Sequence, residues 1–194
     1  TFSAGYGGMT LRDHLEPDVF VIGKAIAGGI PTGTYGLSAS LAEKVLSRTD
    51  LDLVDMGGVG GTLAGNPLQV AAMRATLEKV LTEDNFKLMI DLATVFTDGV
   101  NSLFEKYELP WSINQLGARA EYRFAKPYPK TGTAAFESAD AELEDFLHLY
   151  LVNRGILLTP FHNMALMCPT TTLADVELHL SIFEDAIKEL VSAE

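Results

Sequence analysis

Residues 19–31 read VFVIGKAIAGGIP, and this stretch decides the fold. The run at 19–22 is short, apolar and β-branched, which is typical of a strand buried on both faces. It stops at Gly23, and Lys24 follows with no carboxylate within five residues on either side. Burial disfavours the charged form of a lysine and frees its amine as a nucleophile. The stretch therefore predicts a strand-end lysine suited to Schiff-base chemistry with a carbonyl compound. The alternative is a surface lysine in a glycine-rich turn.

A second glycine-rich stretch, GGVGGTLAGNP, occupies residues 57–67. Asn66 can cap a helix, and Pro67 fits the first turn of that helix. Free backbone N–H groups and the Thr62 hydroxyl, placed just before a helix N-terminus, suit an anion such as phosphate. A flexible linker that leads into a helix explains the same residues equally well.

The composition is that of an ordinary globular protein, with 194 residues, 47% of them hydrophobic and 21% charged. The net charge of −12 argues against nucleic acid and anionic membranes as partners. Apolar runs are too short to span a bilayer. Cys168 is the only cysteine, which excludes intrachain disulfides and fits a reducing, cytoplasmic compartment. The histidines show no metal-ligand spacing, so no metal site is expected.

The character of the chain changes near Glu83, where the glycines thin out. This change predicts an α/β region over residues 1–83 and a smaller α+β domain over 84–194. Alternation and apolar spacing predict the individual elements. Predicted strands are 19–22, 35–39, 111–115, 118–124 and 156–158, with a turn at Gly117 between the third and fourth. Predicted helices are a segment capped by Ser40 that runs to Ser47, one beginning at Asn66-Pro67, and residues 85–107, 141–153 and 172–191. Residues 126–134 are predicted to be a proline-rich loop.

Taken together, the two glycine-rich stretches are more specific than either alone. The pattern Gly-Lys-x-x-x-Gly-Gly-x-Pro-x-Gly at 23–33, followed by Gly-Thr-x-x-Gly-Asn-Pro at 61–67, resembles the class III aminotransferases. These are pyridoxal 5'-phosphate (PLP) enzymes of fold type I, and the group includes glutamate-1-semialdehyde aminomutase. Residues 1–8, 116–122 and 154–158 also look like segments of this family, so the resemblance covers nearly the whole chain. It implies the C-terminal part of such an enzyme: the end of its large α/β domain over 1–83 and its small α+β domain over 84–194.

The resemblance also implies roles for individual residues. Lys24 matches the lysine that forms the Schiff base with PLP and then shuttles the proton between substrate and cofactor. Gly61 and Thr62 match the turn that reaches the cofactor phosphate of the other subunit. The implied protein is a homodimer with shared active sites that takes an amino donor and a keto acid.

Two departures from the family pattern limit this interpretation. The aspartate that pairs with the pyridine nitrogen lies upstream of Thr1 in the family, so we expect a longer enzyme and an inactive isolated chain. In the loop at 159–167, Met164 stands where the aminomutase carries a glutamate. This difference favours an ordinary transaminase with a partly apolar substrate pocket.

Other polar residues are weaker candidates. His162 lies in the same loop and is a candidate substrate contact, with a plain surface histidine as the alternative. Arg119 and Glu121 share one face of a predicted strand. We expect them to pair there, with substrate binding by Arg119 as the alternative.

Three functions stay open at this point. The first is a transaminase that works through the Lys24 Schiff base. The second is an aminomutase or racemase on the same cofactor. The third is a non-catalytic PLP-type fold kept as a binding or dimerisation module.

Overall fold

The structure is a computed structural model that describes residues 2–48, 50, 61–159 and 162–192. The described residues fall into two units, Thr10–Thr82 and the combination of Thr1–Met9 with Glu83–Glu194. The boundary between the large and small domains of a whole enzyme stays a prediction. Along the chain the elements are a 3₁₀ helix Phe2–Ala4, α1 Gly8–Arg12, β1 Val19–Gly23, a 3₁₀ helix Lys24–Ala27, β2 Gly33–Leu37, α2 Ala39–Leu46, α3 Pro67–Lys79, α4 Glu83–Lys106, β3 Ser112–Leu116, β4 Arg119–Arg123, α5 Gly132–Glu137, α6 Ala141–Val152, β5 Met164–Leu166 and α7 Leu173–Ser192.

The unit Thr10–Thr82 contains a two-stranded antiparallel ribbon. β1 pairs with β2 from Val19 opposite Leu37 to Gly23 opposite Gly33. The predicted burial of β1 on both faces is wrong for this chain, because Val21 is 74% exposed. Pairing with β2 covers only one edge of β1. The faces of a two-stranded ribbon are buried only where another layer packs on them.

Side-chain caps begin both longer helices of this unit. Ser38 Oγ accepts from the Leu41 N–H at 3.3 Å, so the cap of α2 is Ser38 and not the predicted Ser40. Asn66 Oδ1 accepts from the N–H groups of Leu68 and Gln69 at 3.0 and 3.4 Å. The predicted start of α3 at Asn66-Pro67 is confirmed.

The second unit is built around α4, whose apolar stripe is confirmed as an amphipathic helix. Phe96, Val100 and Phe104 on this helix are fully buried. Phe104 makes edge contacts with the rings of Trp111, Tyr122 and Phe183, with ring centroids 5.6–6.2 Å apart. These contacts join α4 to the sheet and to α7 in one core.

A three-stranded antiparallel sheet packs against α4 in the order β3-β4-β5. The predicted hairpin is confirmed, with Gly117 in the left-handed conformation at φ 58°. β5 then pairs with β4, placing Leu166 opposite Arg119 and Met164 opposite Glu121.

Two predictions about this unit are wrong. Residues 156–158 form no strand, and Leu157 is 89% exposed, whereas the third strand is Met164–Leu166 inside the predicted loop. Part of the predicted proline-rich loop is the helix α5, which the Thr131 hydroxyl caps by accepting from the Ala134 N–H at 3.2 Å. Within the described residues, every helix is too short or too polar to cross a bilayer.

Candidate functional site

Lys24 stands at the end of β1 with an unusual backbone. Its φ is 56°, a left-handed conformation that is uncommon for any residue other than glycine. It opens a short 3₁₀ turn that ends at Gly28, also left-handed at φ 59°. A strained conformation at a residue costs of order 1–3 kcal/mol and persists only where its surroundings hold it. The backbone of Lys24 is therefore held in place by the turn around it.

The expected burial of Lys24 is wrong, because the side chain is exposed. Ile26 and Ala27 are the residues of the turn that go into the core, at 1% and 2% exposure. Lys24 forms no ion pair with a carboxylate of the described residues. The anchored turn thus presents at the surface an amine that has no ion-pair partner in the described part of the chain. Exposure fits the surface-lysine alternative, and the Schiff-base interpretation then rests on the motif and on the position of Lys24 at the end of β1.

Gly61 and Thr62 lie in the turn just before α3, and both are exposed. The Gly61 carbonyl accepts from the Ala64 N–H at 2.8 Å. The first N–H groups of α3 are already used by the Asn66 side chain. Binding of a phosphate here would therefore depend on the Gly61–Thr62 turn rather than on the helix terminus. The preceding residues 57–60 of the motif lie outside the described residues.

Helix α3 supports both motifs. Gln69 Nε2 donates to the Pro31 carbonyl at 2.9 Å, which ties down the end of the lysine segment. A β-carbon at Gly28 would stand 3.2 Å from Thr76 Oγ1, so the lysine turn packs closely on the same helix. These supports were not predicted from the sequence, because nothing local marks Gln69 or Thr76 as a contact of residues 28–31.

His162 and Met164 both lie near side chains of β4 in the second unit. His162 Nδ1 is 3.4 Å from Glu121 Oε1. Met164 Sδ is 3.8 Å from Arg119 Nη1. Pro160 and Phe161, in the same loop, lie outside the described residues. The structure thus brings both substrate candidates next to charged side chains of β4.

The predicted pair of Arg119 and Glu121 is wrong. Glu121 instead accepts from Arg123 Nη2 at 2.7 Å. All three side chains share one face of β4, so the carboxylate can reach either arginine. Glu121 Oε1 pairs with Arg123, and Nδ1 of His162 lies 3.4 Å from the same oxygen. Arg123 is a polar residue of this face that the sequence did not single out.

The pKa values of two further side chains are shifted. Cys168 is exposed. Hydrogen bonds from Thr170 and Thr171 lower the pKa of its thiol. Burial lowers the pKa of His179 to about 4. Both belong to the second unit. Across the described ranges, no group of three or more His, Cys, Asp or Glu is placed to hold a metal ion.

Comparison with known proteins identifies the family of the chain. The family Aminotransferase class-III matches residues 5–188. A glutamate-1-semialdehyde 2,1-aminomutase 2 of Geobacillus thermodenitrificans is 33% identical over 146 residues, covering 75% of this chain and 32% of that protein. A crystal structure of a glutamate-1-semialdehyde-aminomutase from Pseudomonas aeruginosa PAO1, in complex with PMP, is 46% identical with a TM-score of 0.89. That match covers 97% of this chain and 42% of the Pseudomonas chain.

A transaminase shares the same fold. An omega-transaminase from Sphaerobacter thermophilus is 25% identical with a TM-score of 0.77, over 96% of this chain and 42% of its own. The chain therefore spans less than half the length of these relatives. The predicted α/β fold of the type I PLP enzymes is confirmed. With a family match over residues 5–188, the chain belongs to the class III aminotransferases.

Proposed function

We propose that this chain is the C-terminal part of a PLP-dependent transaminase that moves an amino group between an amino acid or amine and a keto acid. The observation that carries the proposal is the geometry of Lys24. Its amine is exposed, has no carboxylate partner among the described residues, and stands on a left-handed backbone at the end of β1. An amine free of an ion pair is available to a carbonyl group.

The residues present are compatible with PLP. Lys24 would hold the aldehyde end of one cofactor, and the exposed Gly61–Thr62 turn would donate an N–H and a hydroxyl to the phosphate of the cofactor in the partner subunit's site. When bound, PLP supplies a ring that withdraws electrons from the substrate carbon. Lys24 Nζ would then carry the proton between the substrate carbon and the cofactor. The aspartate for the pyridine nitrogen is expected upstream of Thr1, so these residues make only part of the site.

The test uses the full-length gene product. We expect a yellow protein in which borohydride reduction leaves a pyridoxyl group on the peptide that contains Lys24, as read by mass spectrometry. Lys24→Ala should abolish the label. The matched control is Lys44→Ala, which removes another exposed lysine of the same unit. A colourless protein that takes up no PLP would contradict the proposal and favour a non-catalytic module.

The shared active site of a homodimer is a separate part of the proposal. Lys24→Ala removes the amine, and Thr62→Glu places a negative charge where the phosphate would bind. If Thr62 serves the partner's cofactor, a mixed dimer of these two inactive variants contains one intact site. Mixing them should then restore part of the activity, whereas sites built from a single subunit would stay inactive after mixing.

An aminomutase is the second candidate, favoured by the 46% identity to the Pseudomonas aminomutase. Met164 disfavours it, because the resemblance places a glutamate at that position of the aminomutase. A donor and acceptor screen separates the two, since only a transaminase consumes a keto acid. The single cysteine supports a cytoplasmic location for the enzyme.

A further inference from the structure

One face of β4 carries an uneven distribution of charge. Arg119, Glu121 and Arg123 alternate along the strand on this face, whereas Ala120 and Tyr122 point to the core and are 1% and 2% exposed. The three charged side chains are all half-buried. Partial burial strengthens an ionic contact and raises the cost of an unpaired charge.

Arg119 is the arginine that lacks a strong partner among the described residues. The chain has six arginines. Four pair with carboxylates, and one stacks on a tyrosine ring at 3.4 Å while donating to a backbone carbonyl. The polar contact of Arg119 is the thioether of Met164 at 3.8 Å, and a thioether is a weak acceptor. Within the described ranges, this half-buried guanidinium is therefore left for an outside anion, in a chain of net charge −12.

The side chains around Arg119 indicate the chemistry of the rest of the bound anion. Residues directly opposite each other on antiparallel strands share a face. The residues opposite Arg119 are Leu116 on β3 and Leu166 on β5. Met164 adds a third apolar side chain. Leu166 is 60% exposed, so this apolar border is open to solvent. The guanidinium is thus edged by hydrocarbon and sulfur on β3 and β5, and Glu121, the acid on the same face of β4, is paired with Arg123.

We propose that Arg119 binds the carboxylate of a small carboxylic acid whose body is apolar and packs against Leu116, Met164 and Leu166. A guanidinium binds a carboxylate through two parallel N–H···O bonds. Met164 makes this binding available, because a carboxylate at position 164 would neutralise Arg119. This inference concerns the second unit alone and goes beyond the proposed function.

The experiment measures binding without chemistry. Isothermal titration of the full-length, PLP-loaded protein compares 4-methylpentanoate with 4-methylpentanamide, which match in shape and carry neither an amino nor a keto group. We expect the carboxylate to bind at least about tenfold tighter than the amide. Arg119→Met and Met164→Glu should each abolish that preference, the first by removing the charge and the second by pairing it. Arg74→Met removes an exposed arginine on α3 and should keep the preference. If Arg119→Met does not fold, Met164→Glu carries the same test.

Failure of this inference differs from failure of the proposed function. Equal binding of acid and amide by the wild-type protein, binding of neither, or an undiminished preference in either folded variant would overturn the role of Arg119 while Lys24 still takes the pyridoxyl label. Absence of that label, in contrast, rejects the function itself.

Discussion

Gly117 lies directly against the backbone of Ser3. The Ser3 carbonyl accepts a hydrogen bond from the Ala118 N–H at 2.8 Å. A β-carbon at position 117 would overlap that same carbonyl oxygen and the backbone of Ala4. The β3–β4 turn and the 3₁₀ helix Phe2–Ala4 are therefore held together at a point that only glycine fits.

Gly117→Ala should lower the free energy of unfolding by about 2 kcal/mol or more. The substitution adds a side chain at positive φ, and the added carbon clashes with backbone atoms, which cannot move away by a change of rotamer. The midpoint of urea unfolding measures the loss. Gly132→Ala is the matched control, because a β-carbon at this position in α5 meets no atom within 4 Å. An equal effect of the two substitutions would contradict the close contact with Ser3.

The left-handed backbone of Lys24 predicts an inverted order of stability. Lys24→Gly should be about 1 kcal/mol more stable than Lys24→Ala, because only glycine adopts φ 56° without steric cost. Thermal unfolding of the PLP-free protein measures the difference. At Lys44, inside α2, the same pair of substitutions should show the ordinary order, with alanine the more stable. Alanine more stable than glycine at position 24 would show that Lys24 is not strained.

The buried His179 predicts a loss of stability in mild acid. The folded protein takes up a proton at His179 only near its lowered pKa of about 4, whereas the unfolded chain does so near the ordinary value of 6.5. Between these pH values the unfolded state binds more protons, so stability falls as the pH drops from about 6.5 to about 4. The full difference is about 3 kcal/mol.

Replacing His179 by leucine should flatten this part of the pH profile, because the ring packs against Phe96 and Phe183 and leucine keeps an apolar side chain there. Urea unfolding at several pH values between 4 and 7 checks it. His14→Leu, at an exposed position, should leave the profile of the wild-type protein. A slope that survives in His179→Leu would assign the acid sensitivity to other groups.

The side-chain cap of α3 predicts how much Asn66 contributes to the stability of the helix that supports both motifs. Asn66→Ala removes the acceptor of two N–H groups and should cost about 1 kcal/mol of unfolding free energy. Thermal unfolding of the PLP-free protein provides the measurement. Asn101→Ala, at an exposed position within α4, should cost nothing because alanine favours a helix interior.

Local rules account for what the sequence predicted well. Asn66-Pro67 marks the start of α3 because both residues act on the adjacent turn, and Gly117 marks the hairpin because a tight turn requires positive φ. The stripe on α4 is visible because one helix carries it whole. Of the candidate site, Lys24, Gly61 and Thr62 were found from their motifs, and their roles stay predictions.

Contacts distant in sequence explain the misses. The exposure of β1 depends on which layers cover the ribbon, and nothing in 19–22 encodes that. Glu121 pairs with Arg123 rather than Arg119, and the residues that contact this face of β4, His162 and Met164, lie some forty residues later in the chain. The strand expected at 156–158 has the right composition, but Met164–Leu166 is the segment that finds β4 as its partner.

The support of both motifs by α3 has a consequence for protein engineering. Gln69 hydrogen-bonds to Pro31, and Gly28 packs on Thr76. The lysine turn therefore fits against α3, the same helix that follows the Gly61–Thr62 turn. A chimera that takes α3 from one family member and the lysine turn from another would misalign them. Residues 23–79 should therefore be exchanged between relatives as a single block, with crossover points outside it.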